Sequence, residues 1–149
     1  MLNNVLCGMS KKNLNKGEFE TLSNFRYQLR RFLRFSEEMS RQFGITHLQY
    51  LLLLHIKGQH GRQWATIGEL AELLQSHHHG VVSLVSRCEK LELVYRQQGA
   101  TDRREVEVHL TPAGQEIVGK LARLHRDELL KLQGVFQVPG MRELAAEDG

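Results

Sequence analysis

The sequence is poor in the features that mark several protein classes. It has two cysteines among 149 residues, Cys7 and Cys88, too few for a disulfide framework, and neither lies in a CxxC motif. No apolar run approaches the roughly 18 residues that a membrane helix needs. The first residues, MLNNVLCGMSKKN, lack the long apolar segment of a secretory signal. We therefore expect a cytoplasmic protein without a membrane segment.

The sequence also lacks the usual signs of an enzyme. It has no nucleophile–base pair and no glycine-rich phosphate loop. Its adjacent carboxylates Glu37 and Glu38 fall on a predicted helix, where neighbouring side chains diverge. We expect neither catalysis nor a cofactor.

Charge is distributed without a basic block. The net charge is +3 and the pI about 9.0, which permits a nucleic-acid partner without requiring one. Residues 61–110 carry six basic and seven acidic side chains. If DNA is the partner, a few well-placed arginines must make the contacts.

Apolar residues recur at helical spacing over much of the chain. The long amphipathic segment 17–43 has its apolar stripe interrupted at Ser36, and Gly44 ends it. Thr46 is placed to cap a second, central helix over 47–58. Thr111 and Pro112 begin a long helix that reaches about residue 132. Residues 1–14 are polar and expected to fray, and a short tail helix is expected after Pro139.

A winged helix-turn-helix is predicted between these long helices. Thr66 and Glu69 form a capping box that opens a short helix over 67–75, and a second helix spans about 79–92. Strands are predicted at 63–65, 94–97 and 106–110, with a turn at 99–104. The expected fold class is mainly α (α+β), and residues 1–149 form one domain with the winged helix-turn-helix at 46–110.

The stretch 68-GELAELLQSHHHGVVSLVSRCEKLELVYRQQGATDRREVEVHLTPAG-114 resembles the MarR family of bacterial transcription regulators. The matching pieces are ELAELL, VVSLVSR, LELVYR, DRR and LTPAG, and their combination is more specific than any piece alone. The lead-in 25-FRYQLRRFLRFSEEMSRQFGIT-46 also resembles the opening helices of the family. The resemblance covers about residues 19–130.

The resemblance implies a homodimeric repressor that binds double-stranded DNA at a palindromic operator. The dimer would be built from residues 15–45 and 111–149, and a small-molecule effector would release the DNA. In such proteins the second helix of the motif enters the major groove and the wing reaches the minor groove.

Two positions depart from the family's usual pattern. Glu92 stands where glycine is common, so the helix before it must end in a strained left-handed residue or end differently. Cys88 stands where leucine is common, and we expect it in the core as a small apolar side chain.

The candidate DNA-binding residues lie on the second helix of the motif and at the wing tip. By the resemblance, Arg103 contacts DNA, while Asp102 pairs with Arg104 to brace the wing. Solvated side chains in a turn are the plainer alternative. The full DNA-binding set is Ser76, His77, His78, His79, Gly80, Ser83, Arg87, Arg103 and Arg104.

Other functions are left open by the residues. Arg26, Tyr27 and Arg30 could bind an anionic aromatic effector, although a solvated face with dimer ion pairs is the interpretation that we favour. Cys7 could sense oxidants, although an incidental thiol is the simpler interpretation. Adjacent histidines point apart, so we expect no metal site at residues 77–79. A winged helix can also serve as a protein–protein adaptor that reads no DNA.

Overall fold

The computed structural model describes residues 13–134, 138–140 and 144, so Cys7 and most of the segment after Pro139 that is expected to be helical lie outside the described residues. The described part falls into two compact units. One contains residues up to Phe32 and from Gln133 onward, and the other runs from Leu33 to Leu132. The elements are α1 (Lys16–Gln42), α2 (His47–Lys57), β1 (Trp64–Thr66), α3 (Ile67–Leu73), α4 (His78–Lys90), β2 (Val94–Gln98), β3 (Val106–Leu110) and α5 (Pro112–Lys131).

Helix α2 is the centre of the larger unit, as its nearly continuous apolar surface predicts. Leu52, Leu53 and Ile56 are fully buried. The helix contacts α3, α4, α5 and the strands β1 and β3. Burial of three such side chains stabilises the unit by about 1.5–3 kcal/mol each. Helices α3 and α4 and the strands β1 and β3 are therefore arranged around α2.

The helix starts follow the predicted capping residues. The Thr46 hydroxyl accepts from the Gln49 amide, and the Gln49 side chain accepts from the Thr46 amide in return. Thr66 and Glu69 form the same reciprocal box at the start of α3. Thr111 caps α5 through the amide of Gly114. Each box satisfies backbone N–H groups that would otherwise lack a partner.

Both departures from the family pattern have a structural consequence. Glu92 adopts the left-handed conformation with φ 58°, which is strained for a residue with a side chain. Cys88 is fully buried in α4, and burial raises the pKa of its thiol to about 11. The thiol is thus a core side chain that stays protonated near neutral pH.

The three strands form one antiparallel sheet in the order β1-β3-β2. Trp64, His109 and Tyr95 are direct cross-strand neighbours in one row. In β3 the alternation of Val106, Val108 and Leu110 with Glu107 and His109 predicts buried apolar and exposed polar side chains, and this prediction is wrong at two positions. Val106 is exposed because it lies toward the wing tip, and Glu107 is buried, with its carboxylate 2.9 Å from His109 Nε2. No helix in the described part of the chain could span a membrane.

Candidate nucleic-acid interface

Helices α3 and α4 form the helix-turn-helix, with Gln75 in the left-handed conformation at φ 49° in the turn between them. His77 is the N-cap residue of α4 but makes no side-chain capping bond. The rings of His77 and His79 lie parallel with centroids 5.7 Å apart. Ser76, His77, His78 and His79 are all exposed. The start of α4 therefore presents unsatisfied backbone N–H groups and three imidazoles on one accessible end.

The candidates further along α4 share that exposed side. Ser83 and Arg87 are exposed one turn apart, and the Arg87 Nε lies 3.5 Å from the Ser83 carbonyl oxygen. Gly80 is half-buried, and a Cβ there would lie 3.2 Å from the Ser76 hydroxyl. The missing side chain thus lets the turn before α4 pack closely on its first turn.

The wing tip is closed by hydrogen bonds around Asp102. Its carboxylate accepts from the Arg104 amide at 3.0 Å and from the Arg104 guanidinium at 3.1 and 3.2 Å. These bonds lower the pKa of Asp102, the side-chain bond most and the backbone bond next. The contact that bracing requires is present, and a planar guanidinium facing a carboxylate fixes orientation well.

Arg103 differs from its neighbour in having a free guanidinium. Its carbonyl oxygen accepts from the Gln98 side chain at 2.9 Å, which holds the backbone. Its exposed side chain has no ion pair with any residue in the described part of the chain. Of the two arginines at the tip, Arg103 is the one whose charge is not already offset.

Arg96 is a residue that the sequence analysis missed. It lies on β2, yet its guanidinium bonds to the Val82 carbonyl oxygen and the Ser86 hydroxyl on α4. It also lies 3.5 Å from the Glu89 carboxylate. Nothing in the local pattern marks it, because the partners come from another element.

A cavity of about 640 Å³ lies beside α4, within the larger unit. Its walls combine charged groups, Glu37, Arg41 and Arg87, with apolar side chains. A volume of this size suits a small molecule. The lining is Glu37, Arg41, Ile45, Thr46, His47, Leu48, Leu74, Ser76, Gly80, Leu84 and Arg87.

The residues proposed for an effector lie elsewhere, on the first part of α1. Tyr27 belongs to a shallow depression of about 550 Å³ whose lining includes neither Arg26 nor Arg30. The Tyr27 ring instead has the Arg31 guanidinium 5.7 Å above it. This depression therefore does not bring the three residues together. Among the described residues no group of three or more His, Cys, Asp or Glu side chains could hold a metal ion.

A buried polar network connects three helices of the larger unit. The Ser36 hydroxyl lies 3.0 Å from His47 Nδ1 and 2.7 Å from His125 Nε2. His125 Nδ1 donates to the Leu121 carbonyl oxygen at 2.7 Å, and the ring stacks on Tyr50 at 4.6 Å. Burial lowers the pKa of His47, and nearby His125 lowers it further, while Glu37 opposes the shift. Ser36, the polar gap in an apolar stripe, is therefore the junction of α1, α2 and α5.

Comparison with known proteins supports this geometry. Residues 43–105 match the model of the MarR family. The chain is 31% identical over 98 residues to YsmB, an uncharacterized HTH-type transcriptional regulator of Bacillus subtilis. That match covers 62% of this chain and 61% of the relative, so it spans less than two thirds of the relative's length.

Solved structures share the architecture. AbsC, a MarR family transcriptional regulator from Streptomyces coelicolor, superposes with a TM-score of 0.73 at 22% identity, covering 87% of this chain and 86% of AbsC. A mutant of MepR from Staphylococcus aureus bound to an oligodeoxyribonucleotide superposes with a TM-score of 0.62 at 24% identity, covering 81% and 84%. At these identities the structures establish the fold: the chain has the winged helix-turn-helix fold of these proteins, and its residues 43–105 are similar to the MarR family.

Proposed function

We propose that the protein is a sequence-specific DNA-binding transcription regulator that acts as a homodimeric repressor. The observation that carries the proposal is the pairing of an exposed α4 start with a braced wing tip whose Arg103 is free. A recognition helix suits the major groove, and an unpaired arginine suits the narrow, negative minor groove. The oligodeoxyribonucleotide bound to the MepR mutant supports the same role on this fold.

The residues divide into two kinds of contact. Histidine and serine groups at the start of α4, from Ser76 to Ser83, would reach base edges and supply specificity. Arg103 and Arg87 would contact phosphate or the minor-groove edge and supply affinity. Arg104 is included among the proposed DNA-binding residues because it lies at the wing tip. Its guanidinium is bound to the Asp102 carboxylate, so its role there would be to hold the wing in place.

The homodimer is proposed from apolar side chains that the single chain leaves exposed. Phe19 and Tyr27 are more than half exposed on α1, and Leu130 is 60% exposed near the end of α5. Burial of such side chains against a second copy would remove apolar surface from water. Two copies related by a twofold axis would place two recognition helices on a palindromic site. That a small-molecule effector releases the DNA is proposed from the family resemblance alone.

The decisive experiment is fluorescence anisotropy on the intergenic DNA upstream of the protein's own gene. Scrambled DNA serves as competitor, and the titration is run at two salt concentrations. Regulator activity predicts tight, competitor-resistant binding that weakens steeply with salt. Two results together would contradict the proposal and favour a protein partner. The protein would bind scrambled DNA as tightly as the intergenic DNA, and neither affinity would depend on the salt concentration.

Substitution of Arg103 tests the wing directly. Arg103→Ala should weaken binding at least about tenfold and reduce the slope of log affinity against log salt by about two, one for each wing of the dimer. The loss should be similar for different DNA sequences if the contact is to phosphate, which carries no sequence information. Lys57→Ala, at an exposed position at the end of α2, removes the same charge outside both the proposed DNA contacts and the proposed dimer helices. An equal loss in both variants would show that Arg103 acts only through net charge.

A further inference from the structure

The Arg96 guanidinium, on the wing strand β2, lies against three acceptor groups of the proposed recognition helix α4. Its Nη2 lies 3.0 Å from the Val82 carbonyl oxygen and 2.7 Å from the Ser86 hydroxyl. Nη1 lies 3.5 Å from the Glu89 carboxylate. Val82, Ser86 and Glu89 are spaced by four and three residues, so they form one stripe along α4. A single side chain from β2 thereby holds nearly two turns of the helix.

The stripe adjoins the face proposed to meet DNA. Ser83 and Arg87 each follow a member of the stripe by one residue, a rotation of about 100° around the helix axis. A small roll of α4 about its axis would therefore move the groups at Ser83 and Arg87 sideways relative to base edges. The contacts of Arg96 oppose that roll because they act at both ends of the stripe.

The same residue fixes the other half of the interface. β2 runs from Val94 to Gln98, and Gln98 Nε2 donates to the Arg103 carbonyl oxygen at the tip. Arg96 lies two residues before Gln98 on this strand. The distance between the α4 contacts and the wing-tip arginine thus depends on the link that Arg96 makes.

A direct phosphate contact is the competing role for an exposed arginine. Two observations oppose it. The Glu89 carboxylate offsets the charge of Arg96, with both side chains about one third exposed, at 34% and 31%. The Nη2 group already donates to two acceptors on the protein. An arginine committed in this way is suited to holding protein elements together.

We propose that Arg96 is a positioning residue that sets the orientation of α4 relative to the wing and so determines how well the protein discriminates its operator from other DNA. The inference rests on the proposed DNA-binding function. It differs from the roles of Arg103 and Arg87 because Arg96 acts through the geometry of other residues.

The test compares variants that break the link in different ways. Arg96→Lys keeps the charge but loses the planar fork, and Ser86→Ala removes an acceptor without changing charge. Arg96→Gln removes the charge, and Lys57→Gln, at an exposed position at the end of α2, is the control that removes the same charge elsewhere. Each is measured on operator and on scrambled DNA across a salt series, with thermal unfolding to verify the fold. Ser86→Ala should fold well, because alanine is a strong helix former.

A positioning role predicts that Arg96→Lys lowers the ratio of operator to scrambled affinity about tenfold, and that Ser86→Ala lowers it in the same direction. The double variant should lose little beyond Arg96→Lys, because both changes break one link. The salt slope should stay at the wild-type value for these charge-conserving variants.

Other results overturn the inference. If Arg96→Lys and Ser86→Ala match wild type while Arg96→Gln weakens both DNAs equally and lowers the salt slope by about two, one for each subunit, Arg96 contacts phosphate. If the variants lose thermal stability but keep the affinity ratio, the link is merely structural. If wild-type protein itself fails to discriminate, the proposed function falls first, and that outcome is distinguishable because it needs no variant.

Discussion

At the scale of the residue, the close approach of the Leu93 backbone explains why the LTPAG segment has a glycine at position 114. A Cβ at this position would lie 2.1 Å from the Leu93 carbonyl oxygen, which is backbone and cannot move aside. We predict that Gly114→Ala destabilises the protein by about 1–3 kcal/mol, the usual cost of overpacking. Urea unfolding at neutral pH measures the change in the free energy of unfolding.

The matched control lies in the same helix. A Cβ at Gly119 has the flexible Arg123 side chain as its nearest neighbour, at 3.9 Å. Gly119→Ala should therefore stabilise α5 by about 0.5–1 kcal/mol, through helix propensity alone. Equal effects at both positions would show that the close approach to Leu93 is not a constraint.

Residue-level predictions from the sequence succeed where the cause is local. The caps at Thr46, Thr66 and Thr111 were predictable because both partners lie within one turn. The clash at Gly114 was not predictable, because Leu93 comes from another segment of the chain. The strained residue at Glu92 was recognised only as one of two alternatives.

At the scale of the element, the link between Ser36, His47 and His125 ties stability to pH. Burial and His125 lower the folded-state pKa of His47 below its ordinary value of 6.5, and burial lowers the pKa of His55 as well. As the pH falls through 6.5, the unfolded chain therefore binds more protons than the folded protein does. Since proton uptake favours the unfolded state, this stability is complete above that pH and is lost as the pH falls toward the lowered values.

We predict that the free energy of unfolding is nearly constant from pH 8 to about 7 and declines below about 6.5. Urea titrations at half-unit pH intervals measure the decline. His47→Gln should make it shallower, because one of the two groups no longer takes up a proton. The same change at exposed His60 provides the comparison. A decline that is as steep in His47→Gln as in wild type would refute the role of His47.

The order and type of the elements follow from periodicity, and the network between them does not. Apolar spacing placed five helices to within a few residues, since a buried face repeats every three to four positions. Ser36 appeared in that pattern only as an interruption. Its partners lie 11 and 89 residues away along the chain, so their meeting depends on how α1, α2 and α5 pack.

At the scale of the whole molecule, the fold of one chain was predictable from the sequence. The proposed homodimer was harder to predict, because it depends on a surface that meets a second chain. The order of helices and strands indicated a winged helix-turn-helix, and the family match agrees. The sequence indicates the dimer surface less clearly than the fold. An amphipathic helix has the same pattern of apolar residues whether they face the chain's own core or a partner. Only the structure separates buried side chains such as Leu121 from exposed ones such as Leu130.

Leu130 therefore gives the sharpest test of the proposed homodimer. Leu130→Glu should raise the dimer dissociation constant at least about 100-fold, because a leucine contributes about 1.5–3 kcal/mol on burial and twofold symmetry counts it twice. Sedimentation velocity over a range of protein concentrations measures the shift. Operator affinity should fall with it, since a monomer presents one recognition helix to a two-part site.

Leu48→Glu supplies the control, because Leu48 is 53% exposed on α2, outside the proposed dimer helices. This variant should remain a dimer at concentrations where Leu130→Glu is a monomer. A Leu130→Glu protein that stays dimeric would move the interface off the end of α5. A wild-type protein that sediments as a monomer at tens of micromolar would contradict the homodimer itself, and a palindromic operator would then lose its structural basis.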